Sequence, residues 1–249
     1  MSDWNDTQRQ QGFGSVPRAG GSVTHDEGLR KHMLGVYNYM GAAVALTGLV
    51  ALFVAQTGLV RSLIGPTGEP SLLYWASVAL PFILVMWLQF RIFKMSVATA
   101  QAAYWAYAVL TGVSISFIFI VYTPVSIAQT FLATAIAFAG LSLWGYTTKK
   151  DLSGWGSFLI MGIWGGIALS LLNVLFFKSQ LFDLAMSFAF LLMFAGFVAY
   201  KTQETREIYL QLRGNTEMLQ KATIYGALHL YMSFISIFMN LLRFMGSQD

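Results

Sequence analysis

The chain has 249 residues, of which 56% are hydrophobic and only 10% charged, with a formal net charge of +4. Soluble domains carry about 25% charged residues, so this composition excludes an ordinary water-soluble fold and points to the membrane. The chain has no cysteine, which excludes disulfides and thiolate metal centres, and its modest positive charge, gathered in loops, is not a nucleic-acid footprint.

Residues 1–28 are polar, Gly-rich and aperiodic and read as a disordered arm, 29–249 as the membrane domain. Acidic residues stand where a signal peptide needs basic ones, so the first apolar run is expected to be a retained span. Seven runs follow, at about 34–56, 72–93, 97–121, 125–146, 155–177, 181–200 and 222–245. Each has about the 20 residues that a helix needs to cross the hydrocarbon. Turn chemistry separates them: GPTGEP at 65–70, TP at 123–124, TTKKDLSG at 147–154 and RGN at 213–215. The expected fold is all-α, a polytopic seven-transmembrane-helix bundle, because helices satisfy their own backbone hydrogen bonds in lipid. Gly162 and Gly166, and Gly41 and Gly48, are spaced for close helix packing or a dimer seam.

With the N-terminus cytoplasmic, twelve of the fifteen Lys and Arg residues fall on inside segments, leaving Arg61, Lys178 and Arg243 outside. That bias predicts N-terminus in and, with seven crossings, C-terminus out. A seventh run that entered and returned would leave the C-terminus inside.

In the seventh run His229, Ser233, Ser236, Asn240 and Arg243 recur at spacings of four, three, four and three, one face of a helix. Tyr231, Phe234, Ile235, Phe238, Leu241 and Leu242 form the opposite face. Such a stripe is expected to face the bundle interior or a watery cavity. It serves either as interhelical glue or as part of a pathway. Lys201, at the end of the sixth run, either snorkels to the cytoplasmic edge or points inward, with Glu204 or Asp151 as partner. Asp183 opens that run as an interface residue or a cavity mouth. Arg91 and Lys94 close the second run as positive-inside markers or carboxylate partners. The three histidines show no metal spacing, so no metal or cofactor is expected.

KKDLS at 149–153, AYKTQ at 199–203 and ALHLYMSFISIFMNLLRFMG at 227–246 resemble the Bax inhibitor-1 family, in particular its bacterial branch, and the hydropathy after residue 28 agrees. The resemblance implies a seven-helix protein of the bacterial inner membrane that passes calcium in a pH-dependent way. It also implies a latch of two aspartates, one closing the sixth helix and one mid-seventh, bonded by an arginine at the end of the second. Here the aspartate positions match Lys201 and Ser233, so neither aspartate is present, and the arginine matches Arg91 best, with Lys94 as the alternative. An ammonium and a hydroxyl change the local charge from about −2 to about +1, which disfavours calcium, a seeker of six to eight oxygens.

Two functions are therefore expected. One is an ion or proton leak controlled where the sixth and seventh helices meet, with Lys201, Ser233 and His229 discriminating and Arg91, Ser236 and Asn240 supporting. The alternative is a non-transporting interaction protein, embedded in membrane lipid, whose arm and 201–221 loop meet a membrane protease or another membrane protein in quality control or stress response. No catalytic motif supports an enzyme: GxSxG, HExxH and paired intramembrane aspartates are absent.

Overall fold

The computed structural model describes residues 19–63, 69 and 71–246, with side chains from residue 27 onward. Among them there is no strand. The helices are α1 (Ala19–Gln56), α2 (Leu72–Arg91), α3 (Val97–Ile115), the short α4 (Ile118–Val121), α5 (Pro124–Thr147), α6 (Ser153–Leu172), α7 (Gln180–Leu212) and α8 (Thr216–Met245). Among the described residues seven segments are long and apolar enough to cross a membrane; α3 with α4 makes the third. Their starts follow local chemistry. Ser71, Ser96, Thr123, Ser179 and Asn215 each cap the following helix by accepting a backbone N–H, and Pro124 occupies the first turn of α5, where its missing N–H costs nothing.

Residues 1–18 of the expected arm lie outside the described residues, while α1 begins at Ala19, before the expected boundary. Once the buried turns at Leu29, Met33 and Val36 nucleate the helix, each added residue gains a hydrogen bond at little further cost. The expected 201–221 loop is likewise helical: α7 runs on to Leu212, the chain turns over Arg213–Asn215, and α8 starts at Thr216. Gly214, at φ +110°, supplies the left-handed residue of that turn. The Glu217–Lys221 pair, 2.7 Å apart and one turn apart in sequence, supports the first turns of α8.

The helix α8 is the axis of the bundle. It packs against α7 most extensively, and against α1, α3 and α5. It is one continuous helix, so it has no turn at which to re-enter. The expected two-faced helix is not what forms. His229 and Ser233 do face inward, but so do Tyr231, Phe234, Ile237, Phe238 and Leu242, while Ser236 and Asn240 are half-buried and Arg243 is exposed. A helix enclosed on nearly all sides buries its apolar face as well.

The lipid-facing surface comes instead from α2, α5 and α6, which expose Trp75, Phe82, Phe131, Trp144, Trp155 and Trp164. Hydroxyls tie the ring to the axis. Thr47 of α1 donates to the Ala108 carbonyl of α3 and meets Tyr231 of α8 at 2.7 Å. Gly162 and Gly166 receive Met193 and Phe190 of α7, so this pair packs helices within the chain. Gly41 and Gly48 have open space where a Cβ would stand.

Candidate functional site

The two sequence segments KKDLS and AYKTQ meet in space. The Gln203 amide is held between two backbone groups of the α5–α6 connection, donating to the Lys150 carbonyl and accepting from the Leu152 N–H, both at 2.8 Å. Asp151 does not approach Lys201. Its carboxylate accepts from the Ser153 N–H at 2.8 Å, and the Ser153 side chain and backbone hold its carboxyl below the usual range. Thr202 joins Ser142, which joins Tyr37, fastening α7 to α5 and α1. Tyr200 packs over Gly156, where a Cβ would collide with its ring.

These clamps fix the rotation of α7 and thereby aim Lys201. Its side chain points into the bundle, 4% exposed. The snorkelling alternative fails because a cage of aromatic rings and one carboxylate receive the ammonium. Its Nζ lies 2.5 Å from Glu204 Oε2 and 5.3, 5.2 and 5.5 Å from the ring centres of Phe197, Tyr200 and Tyr225. The quadrupole of an aromatic face attracts a cation, more strongly where water is excluded. Glu204 also accepts from the Tyr200 hydroxyl at 3.0 Å, and its side chain is 25% exposed.

Lys201 lines a cavity of about 600 Å³. Its walls are α2 and α3 on one side and α6 and α7 on the other, with α8 behind. No extensive contact joins α2 to α6, so the cavity opens between them toward the lipid face. Tyr225, His229 and Ser236 of α8 line it, as do Gln89 of α2 and Thr111 of α3. The His229 ring is 4.4 Å from the Tyr225 ring and 6.1 Å from Phe197, centre to centre. It is 6% exposed, and neither ring nitrogen has a hydrogen-bond partner among the described residues.

Of the six residues singled out from the sequence, Lys201, His229 and Ser236 share this cavity. The others do not. Ser233 is fully buried, but its hydroxyl donates to the His229 carbonyl of its own helix at 2.8 Å, and it does not line the cavity. Packing of Thr205 against Gly226 sets the α7–α8 register. That register puts His229 and Leu230 level with Lys201 and Ser233 about one turn deeper. Asn240 donates to the Ser236 carbonyl at 2.8 Å. Arg91 is exposed at the end of α2 and outside the cavity, so it does not bridge positions 201 and 233. Asp183 accepts from Asn173 at 2.9 Å and belongs to the tight α6–α7 turn. The aromatic cage of Phe197, Tyr200 and Tyr225 was not anticipated. Its signal was present, since Phe197 precedes Lys201 and Tyr225 precedes His229 by one helical turn.

The sequence matches the family described as Inhibitor of apoptosis-promoting Bax1 over residues 29–249. It is 39% identical to an uncharacterised protein of Rickettsia prowazekii, covering 90% of this chain and 93% of that protein. It is 38% identical to an uncharacterised protein of Caulobacter vibrioides, covering 99% and 98%. It is also 38% identical to the inner membrane protein YbhL of Escherichia coli, covering 93% and 98%. With its seven apolar spans and these full-length relatives, the chain belongs to the Bax inhibitor-1 family of integral membrane proteins.

Proposed function

We propose that the chain is a non-enzymatic, regulated proton leak whose gate is the Lys201–Glu204 pair at the α7–α8 contact. The observation that carries this reading is an ammonium 4% exposed in a membrane helix, beside an imidazole with no hydrogen-bond partner among the described residues. Ionisable groups held inside a bundle are costly and mark ion or proton pathways. Lys201, Glu204, Tyr225 and His229 adjoin one another, and each holds or passes a proton. Calcium suits the site poorly, because the carboxylate is already engaged by a cation. Among the described residues no group of three or more His, Asp or Glu side chains could hold a metal ion. The twelve-to-three charge bias supports a cytoplasmic N-terminus and, with it, a gate near the cytoplasmic edge.

Flux into liposomes separates the cases. The parent chain should carry protons above an empty-vesicle control, with calcium, potassium and chloride at the control level. Lys201→Met should reduce the proton flux. An acidic latch should be rebuilt by Lys201→Asp with His229→Asp, which are level, better than with Ser233→Asp, and the first pair should gain calcium passage. The absence of any flux above control would overturn the reading.

A second reading draws on the helical extension of the α7–α8 hairpin, where Arg206, Glu207, Arg213 and Glu217 form a charged tip beyond the apolar spans. Such a tip suits docking to a membrane protease or another membrane protein. Reversing its charges would then change copurifying proteins and leave flux unaltered.

A further inference from the structure

We infer that the cavity between α2 and α6 is a binding site for a long-chain fatty acid, with its carboxylate on Lys201 and His229 and its hydrocarbon chain lying toward Ser236. Four features point to this ligand. The mouth opens sideways between two lipid-facing helices, with Phe82 and Trp164 exposed on its two rims. The body is apolar, lined by Val85, Ile163, Ile167 and Phe194. The ionisable donors Lys201 and His229 stand together at one end. An ammonium has three N–H groups, of which Glu204 takes one, and the His229 imidazole offers a donor and an acceptor with no partner among the described residues. The volume, about 600 Å³, is that of a site for one small molecule.

The polar end selects a carboxylate. A cationic head would meet the Lys201 ammonium. A glycerophosphate head with two chains is too large to reach residues only 4% and 6% exposed. A single chain ending in a carboxylate enters head first and satisfies both groups. Hydrogen bonds to charged groups are among the stronger ones in proteins. Binding at this site is a separate property from proton passage, and its readout requires no flux.

The test uses the full chain in phosphatidylcholine nanodiscs and palmitic acid bearing a mid-chain diazirine. Parallel arms use the matching fatty amine and a diazirine-bearing phosphatidylcholine. After irradiation, peptide mapping should place the acid on residues 78–89 and 160–167, with displacement by unlabelled palmitic acid. The amine should not compete, and the phospholipid should label the outer faces without selecting these segments. Lys201→Met should lower labelling about tenfold, the loss of one charge-assisted hydrogen bond. His229→Gln, which keeps a donor and an acceptor, should retain more labelling than His229→Leu. Should a variant fail to fold, the acid-against-amine comparison on the parent chain decides alone. Equal labelling by acid, amine and phospholipid, or acid labelling that unlabelled acid cannot displace, would overturn the assignment.

Discussion

Glu204→Ala is expected to destabilise the protein by about 3 kcal/mol, and Lys201→Met with Glu204→Ala to recover most of that loss. The single substitution leaves an ammonium 4% exposed with only aromatic faces around it. The double substitution leaves no charge to compensate. The figure sits at the low end for a broken buried pair because the Glu204 side chain keeps a quarter of its surface exposed. Lys201→Met alone should cost less than Glu204→Ala, since Glu204 still reaches solvent and the Tyr200 hydroxyl. Reversible unfolding in detergent across all four members of the cycle measures the coupling. Additive single effects would mean that the two charges are solvated separately.

Gly145→Ala should destabilise by about 2 kcal/mol or more, while Gly140→Ala on the same helix should be neutral or mildly stabilising. A Cβ at position 145 would stand 2.7 Å from the Ala199 Cα, against backbone that has no rotamer with which to yield. At position 140 there is nothing within 4 Å. The pair isolates close approach from helix propensity, because both changes remove a helical glycine. Since the Gly145–Ala199 contact also seats the α7 turn that carries Lys201, Gly145→Ala should weaken the gate as well as the fold. Thermal unfolding of the two variants in one detergent makes the comparison, and equal effects would show that α5 and α7 are not in backbone contact there.

The seven spans were legible because lipid enforces length and apolarity directly, and the turn residues 213–215 fall between α7 and α8 while Thr123 and Pro124 open α5. The continuation of α7 from Lys201 to Leu212 and the start of α8 at Thr216 were not, because hydropathy ends where charges begin and says nothing about whether the backbone continues to coil. The enclosure of α8 was also invisible. Phe234 and Phe238 are as apolar against neighbouring helices as they would be against acyl chains, so burial on both faces leaves no periodic mark.

For Lys201, snorkelling and inward pointing have the same hydropathy. What separates them is the α7 rotation, set by Gln203 on the α5–α6 connection and by Thr202 on Ser142, together with the cage completed by Tyr225 from another helix. His229 was recognisable as an inward residue from its place in the polar row. Ser233 belongs to the same row yet spends its hydroxyl on its own backbone, a choice that spacing cannot reveal.

The proposed gate requires the Lys201 ammonium to lie inside the bundle. Per-lysine labelling of the unaltered chain in nanodiscs, with a membrane-impermeant amine-reactive ester and peptide mapping, tests it most directly. Lys149 and Lys150, both exposed, should label readily, whereas Lys201 should stay protected until the protein is unfolded. Labelling of Lys201 as fast as Lys150 in the folded protein would place its amine in the headgroups and rule out an internal gate.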